Sequence, residues 1–409
     1  MNRKQLILIL VVGAVVVGLG ALLYRRDTSA WKSSGQSMGQ KALGEFPINE
    51  VSSIVIQQQT NTLHLVKKGE AWHVKERFEY PANFSEIGDT LRKLWELKTV
   101  QAVKVGASQL GRLDLLPPDQ GTNSGTLVQL KDASGKTIKS VLLGKKHVKK
   151  SGGEASPFGG GGEWPDGRYL LVGEPGQDVA VISDPLNNLE PKAETWIDKE
   201  FFKVEKLKSV AVTHTQDTNS WKIHRETEGG ELKLADAKPE EKFDATKASA
   251  AGNLFSYPSF TDVVSPEAKP ETTGLHQPMT ATVETFEGFT YQIKIGSKTP
   301  EENYHLQVAT SASLAGERTP GKDEKPEDKE KLDKEFKEKQ DKLKEKLAKE
   351  KALANWTYLV SKWNIDAILK NRADFMADKK GDEKKDGGAA DSEIDAPIPN
   401  INPPPIPLK

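Results

Sequence analysis

The 409-residue chain contains no cysteine. This absence excludes disulfides, thiolate metal sites, iron–sulfur clusters, a cysteine nucleophile and a lipid-modified N-terminal cysteine. The chain also lacks an excess of charge of one sign, because 58 Lys and Arg residues balance 59 Asp and Glu residues to a net charge of -1. No global field therefore draws the protein to nucleic acid, and we expect no nucleic-acid partner.

Short motifs that carry common catalytic chemistry are missing as well. The glycines at 159–162 are not followed by Lys and Ser or Thr, so there is no phosphate loop, and no Gly-x-Ser-x-Gly elbow is present. A pair of catalytic carboxylates for glycoside hydrolysis is not excluded by the sequence, because the two residues of such a pair come together only in the folded protein. We predict no enzyme activity, no catalytic residues, no cofactor and no metal site. The histidines form no HExxH pattern or zinc spacing: His64, His73, His147, His214, His224, His276 and His305.

A long uncharged segment lies near the N-terminus. Residues from Leu6 to Tyr24 read LILILVVGAVVVGLGALLY, which as a helix is long enough to cross about 30 Å of hydrocarbon. We predict a single-pass membrane anchor within residues 1–30, with a cleaved signal peptide ending near residues 28–30 as the alternative. Positive charges on the two sides of this segment nearly balance. The predicted orientation of the segment in the membrane therefore depends on the short N-terminal tail that precedes it. That tail favours the cytoplasmic membrane with the C-terminal domain on the extracytoplasmic, periplasmic side.

One sequence pattern occurs twice after a predicted flexible tether at residues 31–45. The two copies occupy residues 46–200 and 201–378, and two domains suit a chain of this length. Equivalent positions keep a near-constant offset, since Ile54 and Val210 are 156 residues apart and Gly144 and Gly296 are 152 apart. We therefore predict two tandem related units.

Each unit is predicted to combine short strands with one main helix. In the first unit the helix follows the candidate caps Asn83 and Ser85, and its counterpart runs from Asp244 to Phe255. Short hairpin connections favour antiparallel pairing, so the fold class is α+β with mostly antiparallel sheet. The same pattern predicts matched hairpins at 126–144 and 281–296, later strands at 169–172, 179–182, 304–308 and 357–360, and short helices at 186–189 and 365–369.

Two segments depart from this pattern. An insertion at residues 311–354 is mostly Lys, Glu and Asp. It carries an apolar stripe at helical spacing, formed by Leu332, Phe336, Leu343, Leu347 and Ala354. A lone or hairpin charged helix is the favoured interpretation, and a coiled-coil arm that contacts a partner is the alternative. The tail at 379–409 is charged and then proline-rich, which predicts disorder with polyproline conformation near the end.

A set of short motifs recurs in the two copies. They are Trp72, Tyr80-Pro81-Ala82-Asn83, Leu142-Leu143-Gly144-Lys145 and Tyr169 in the first copy, and Trp221, Ile295-Gly296 and Tyr304 in the second. With these motifs the chain resembles the domain-of-unknown-function 4340 family over about residues 46 to 378, and the charged insertion departs from it. The resemblance implies a bacterial membrane-anchored protein with an extracytoplasmic domain, associated with ABC transport systems of the gliding-motility type, and it transfers no catalytic residues.

Three functional hypotheses follow from these observations. The first is an accessory or scaffolding protein of the cell envelope that binds a protein partner, with ABC transporter subunits as the partner that the resemblance implies. The second is an envelope hydrolase, which a cleft with convergent carboxylates would favour. The third is an envelope glycan-binding protein that uses exposed tryptophans such as Trp164 or Trp363.

Overall fold

The structure is a computed structural model that describes residues 38–148, 165–172, 179–321 and 324–377. The predicted anchor from Leu6 to Tyr24, the glycines at 159–162, Trp164 and the tail at 379–409 lie outside the described residues. Within the part of the chain that is described, no helix is both long and apolar enough to span a bilayer.

The first sheet contains nine strands in the order β4-β3-β2-β1-β6-β7-β8-β9-β5, and every pairing is antiparallel. Alternate residues of β6, from Thr126 to Leu130, are buried, because successive side chains of a strand point to opposite faces. The strands are β1 (Ser53–Gln58), β2 (Asn61–Lys68), β3 (Ala71–Val74), β4 (Tyr80–Pro81), β5 (Thr99–Val103), β6 (Thr126–Lys131), β7 (Thr137–Val148), β8 (Pro165–Val172) and β9 (Val179–Ile182).

The second sheet contains eight strands in the order β12-β11-β10-β14-β15-β16-β17-β13, again all antiparallel. The longest apolar alternation lies on β15, where Phe289, Tyr291, Ile293 and Ile295 are buried. The strands are β10 (Leu207–Thr213), β11 (Trp221–His224), β12 (Lys233–Leu234), β13 (Asp262–Val264), β14 (Met279–Thr285), β15 (Phe289–Lys298), β16 (Asn303–Ala312) and β17 (Thr357–Ser361).

Six α-helices of the described residues accompany the sheets. The main helix of the first half, α1 (Phe84–Glu96), begins as predicted, because the Asn83 side chain accepts the backbone N–H of Glu86 at 3.1 Å. Its buried face carries Ile87, Leu91 and Leu94. The predicted α+β class with antiparallel sheets is confirmed. The other helices are α2 (Ala193–Trp196), α3 (Ser249–Gly252), α4 (Pro270–Thr273), α5 (Lys329–Ala352) and α6 (Lys362–Leu369).

Two helices differ from the sequence prediction. The predicted helix from Asp244 to Phe255 is reduced to the single turn of α3, which ends at Gly252. A Cβ at Gly252 would lie 2.8 Å from the Leu232 side chain, so close packing selects a glycine that disfavours a longer helix. Residues 186–189 form a turn with buried leucines, and the helical turn lies further along, in α2.

Part of the predicted tether packs against the first sheet. The backbone N–H of Gly39 donates to the Thr99 carbonyl at 2.8 Å, and that of Ala42 donates to the Leu97 carbonyl at 2.6 Å. Leu43 is buried beside them. Residues 39–43 therefore lie along β5, because their backbone finds partners there and their apolar side chains leave water.

The glycines that the sequence pattern matched occupy the same kind of position in the two sheets. A Cβ at Gly144 would lie 2.3 Å from the Leu113 carbonyl oxygen, and one at Gly296 would lie 2.0 Å from the Thr273 carbonyl oxygen. In β7 and in β15 the strand register shifts immediately after this position. Only glycine permits the crossing chain to approach so closely.

The two sheets share one continuous core, and aromatic side chains join them. Tyr80, at the edge of the first sheet, lies with its ring 4.9 Å from Trp356 and 6.0 Å from Phe260, in edge-to-face contacts. Phe201 packs at 4.8 Å from Tyr358 and 5.0 Å from Phe260. We call these five residues the junction cluster.

An ion pair reinforces the same junction. The Nε of Arg77 donates to Asp262 Oδ1 at 2.6 Å, and its Nη2 donates to Glu194 Oε2 at 3.1 Å. Arg77 and Asp262 are both half-buried, so the contact is better shielded from water than an ordinary surface pair. Because Arg77 belongs to the first half and Asp262 to β13, this contact also connects the two sheets.

The charged insertion contains one helix that packs on its own chain. Leu343 of α5 is buried and Leu347 is half-buried against the shared core, and Lys346 lies 5.1 Å from the Phe289 ring. The favoured interpretation of a lone helix therefore describes α5, although its apolar stripe covers the second sheet instead of facing solvent. The outward residues of α5 are mostly Lys and Glu.

Candidate functional site

A cleft of about 570 Å³ lies where α5 crosses residues 198–206, the segment that links the two sheets. Its floor includes Tyr80 and Phe201 of the junction cluster. Its walls carry charges of both signs, which come from the linking segment and from the second half of α5. The charged lining residues are Asp198, Glu200, Lys203, Glu205, Lys342, Glu345, Lys346, Lys349 and Glu350.

Hydrogen bonds and ion pairs across the cleft hold α5 in place. Lys346 Nζ lies 3.0 Å from Glu205 Oε2 and donates to the Lys203 carbonyl at 2.8 Å. Lys349 Nζ lies 3.1 Å from Glu200 Oε1. The pairing with Lys346, and then with Lys203, lowers the pKa of the Glu205 carboxyl.

Glu350 is the buried charged residue of the cleft. Its Oε1 accepts the backbone N–H of Lys203 at 3.0 Å, whereas its Oε2 has no partner. Burial raises the pKa of the Glu350 carboxyl, because the hydrogen bond from Lys203 and the charge of Lys346, 3.9 Å away, offset only part of the cost of desolvation. The hydroxyl of Tyr291 donates to the same Lys203 carbonyl at 3.0 Å.

A second cavity of about 890 Å³ lies between α6 and the loop after α3. We call it the aromatic groove. Asn364 of α6 holds its two walls together, since the Asn364 Oδ1 accepts the Ser259 N–H at 3.0 Å and its Nδ2 donates to Ser361 Oγ at 3.0 Å. The lining residues are Ala250, Asn253, Leu254, Phe255, Ser256, Tyr257, Pro258, Lys362, Trp363, Asn364, Asp366 and Ala367.

Two aromatic side chains in this groove face solvent. Tyr257 is 79% exposed and Trp363 is 76% exposed, which makes them the most exposed large hydrophobic side chains among the described residues. Lys203 Nζ lies 5.3 Å from the Tyr257 ring, and Pro258 adds a further apolar surface next to it. Paired exposed aromatics in a concave surface are typical of a binding site.

The residues considered for chemistry in the sequence are scattered in the structure. His64 Nδ1 lies 2.7 Å from Glu76 Oε1, while the residue opposite His73 on β2 is Val66. Within the described ranges, no three His, Asp or Glu side chains are grouped so that they could hold a metal ion. Trp363, one of the two tryptophans named for glycan binding from the sequence, is exposed and lines the aromatic groove.

Tyr257 and Glu350 are not predicted from the sequence. The only signal for Tyr257 is the Tyr-Pro pair at the end of the shortened second helix, which marks a turn but no partner. Glu350 is one of many acidic residues in a charged helix, and nothing in its neighbours along the chain indicates that it is buried.

Comparisons with known proteins identify the family. A comparison with curated proteins found no match, and a comparison with solved structures found none either. The family model described as Domain of unknown function (DUF4340) matches residues 72–278, which is just over half of the 409 residues. The matched segment begins on β3 and ends immediately before β14, so it includes the linking segment at 198–206 and one wall of the aromatic groove. This chain belongs to the DUF4340 family.

Proposed function

We propose that the protein is a membrane-anchored, extracytoplasmic accessory or scaffolding protein that binds another protein of the cell envelope, with a component of an ABC transport system as the expected partner. The anchor is the segment from Leu6 to Tyr24, whose length and lack of charge suit a bilayer span. The expected partner comes from the family resemblance, and the C-terminal region lies on the periplasmic side of the cytoplasmic membrane in this proposal.

The proposal includes two tandem related units. The order of seven consecutive strands supports it, since β3-β2-β1-β6-β7-β8-β9 has the same connectivity as β12-β11-β10-β14-β15-β16-β17, with β5 and β13 as the next strand of each sheet. The close approach at Gly144 and Gly296 supports it as well. The tryptophans of the repeat are less regular, because Trp72 lies on β3 and Trp221 lies on β11, one strand nearer the sheet centre.

The observation that carries the binding role is the fixed position of α5 across the junction. Lys346 and Lys349 are paired with the linking segment, and Leu343 is buried beneath the helix. The outer face of α5 is therefore a rigid row of exposed Lys and Glu side chains next to a cleft of mixed charge. Preorganised charges of both signs favour a specific protein partner over a polyanion, since a polyanion would be repelled by the acidic groups.

Photo-crosslinking in cells tests the accessory role. We would place a photo-reactive residue on the outer face of α5, at Lys337, Asp341 or Lys344, and identify the captured proteins by mass spectrometry. The matched control carries the same residue at Ala133, an exposed turn position of the first sheet. We expect reproducible capture of transporter subunits from α5 and not from the control. Capture of the same abundant proteins at every position would contradict the proposal.

A further inference from the structure

We propose that the aromatic groove is the docking site for the proline-rich end of this same chain, residues 396–408. The docking places a polyproline segment across Tyr257, Pro258 and Trp363, with the groove and its ligand supplied by one molecule.

The groove has the chemistry that such a segment needs. Proline-rich segments in the polyproline conformation bind in grooves lined by aromatic side chains, because the preformed ligand loses little conformational entropy on binding. Tyr257 and Trp363 supply two exposed rings, and Asn253 and Asp366 supply polar groups at the margin. The groove volume of about 890 Å³ accommodates a few residues, which suits a short Pro-x-x-Pro core.

The end of the chain carries that ligand pattern. Residues 396–408 read APIPNINPPPIPL, a segment without a charged residue, and the run from Pro404 to Pro407 matches Pro-x-x-Pro. By contrast, residues 379–395 contain many Lys, Asp and Glu residues, which make a soluble spacer. The hydrophobic effect favours burial of this uncharged segment, which contains three isoleucines and a leucine. It does not favour burial of the charged spacer.

The described chain ends close to the groove. The backbone N–H of Ala377 donates to the Lys242 carbonyl at 2.8 Å, and Lys247 Nζ donates to the Met376 carbonyl at 2.9 Å. Lys247 lies three residues before Ala250, the first groove residue, a separation of at most about 11 Å of chain. Met376, near the end of the described residues, therefore contacts the segment that leads directly into the groove residue Ala250.

The spacer has a suitable length for docking within one molecule. A flexible chain of 18 residues, the length of the segment 378–395, has a root-mean-square span of roughly 25 Å and an extended length of about 60 Å. A linker of this kind gives an effective concentration on the order of 1 mM. A segment with a dissociation constant of about 0.1 mM in trans would then be docked about 90% of the time.

Disulfide trapping tests the contact directly, since the natural chain has no cysteine. In the full-length chain, Ala250→Cys on the groove is combined with Ile406→Cys in the tail. We expect an intramolecular disulfide that forms at least about tenfold faster than in the matched pair Ala133→Cys with Ile406→Cys, because docking raises the local concentration. Adding Trp363→Ala or Tyr257→Ala should reduce the rate to that of the control. Equal rates for the two pairs, or a rate that neither aromatic substitution changes, would overturn the proposal.

A binding measurement separates the tail from other occupants. The receptor is the full-length chain with alanine at all six tail prolines, the probe is a synthetic peptide of residues 396–409, and binding is measured by isothermal titration calorimetry. We expect saturable binding that Trp363→Ala abolishes and that the unaltered full-length chain resists, because its own tail occupies the groove. Saturable binding of N-acetylglucosamine oligosaccharides without binding of the peptide would overturn the proposal in favour of a glycan site. The substituted residues are Pro397, Pro399, Pro403, Pro404, Pro405 and Pro407.

Discussion

At the scale of single residues, Glu350 shows how burial and charge oppose each other. The carboxyl has one hydrogen bond, from the Lys203 backbone, and one oxygen without a partner. Its pKa is raised in the folded protein, mainly by desolvation, above the ordinary value of 4.5. The charged form is therefore less stable in the fold than in the unfolded chain, so stability is lost as the pH rises through the folded-state pKa.

Glu350→Gln is expected to stabilise the protein at pH 7. The amide oxygen keeps the hydrogen bond from Lys203, while the cost of burying a charge disappears. We expect a higher melting temperature at pH 7, and an advantage that shrinks towards pH 4, where the wild-type carboxyl is protonated. Thermal unfolding by circular dichroism at both pH values measures this. Glu345→Gln on the exposed side of α5 is the control and should change little; a lower melting temperature for Glu350→Gln at pH 7 would show that the charge is needed.

Glycine positions give a second prediction at this scale. Gly144→Ala places a Cβ 2.3 Å from the Leu113 carbonyl oxygen, so the crossing chain has to move, and we expect a loss of roughly 2–3 kcal/mol of unfolding free energy. Gly88→Ala in α1 is the matched control, because nothing lies within 4 Å of its new Cβ. This control should gain about 0.5–1 kcal/mol, since alanine favours a helix. Chemical denaturation of both variants measures the change in the free energy of unfolding. Equal changes in the two variants would refute the role of close packing at Gly144.

At the scale of elements, the strands were easier to predict from the sequence than the helices. The hairpins of β6 with β7 and of β14 with β15 were found because alternating apolar residues and short turns are local signals. The second main helix was predicted too long, because the contact between Gly252 and Leu232 joins residues far apart in the sequence. The aromatic groove also depends on such contacts. Trp363 was identified as a candidate from the sequence. Its position in one cavity with Tyr257 depends on the packing of α6 and could not be predicted from the sequence.

The packing of α5 gives a prediction for an element. Leu343→Ala removes a buried side chain between α5 and the second sheet, so we expect a loss of about 2–3 kcal/mol of stability with no change in oligomeric state. Leu332→Ala, nearer the start of the same helix and only half-buried, should cost less than about 1 kcal/mol. Denaturation and analytical ultracentrifugation measure the two quantities. If Leu343→Ala changed the oligomeric state, the result would instead support the alternative hypothesis that α5 is a coiled-coil arm.

At the scale of the whole molecule, the contacts of the junction cluster determine whether the two sheets unfold together. Tyr80 contributes edge-to-face contacts with Trp356, Phe260 and Tyr358, and burial raises its pKa to about 12. Buried aromatic contacts of this kind couple neighbouring regions in unfolding. We therefore expect the wild-type protein to unfold in a single transition.

Tyr80→Ala is expected to separate that transition into two. The loss of a buried aromatic side chain should cost about 3–5 kcal/mol and leave each sheet to unfold with its own midpoint. Phe84→Ala is the matched control, because its ring is 67% exposed and makes little contact. Differential scanning calorimetry resolves the transitions. One cooperative transition in Tyr80→Ala would mean that the ion pair of Arg77 with Asp262 and the rest of the shared core suffice to join the halves.

The junction also has a mechanical consequence. In the proposed arrangement the membrane holds the N-terminal end and a partner holds α5, so relative motion of the two pulls on the protein. That tension passes from the first sheet to α5 through the covalent linking segment at 198–206 and, in parallel, through the junction cluster. Lys346 and Lys349 form ion pairs between α5 and this linking segment. A force applied to α5 is therefore transmitted directly to the covalent connection between the two sheets.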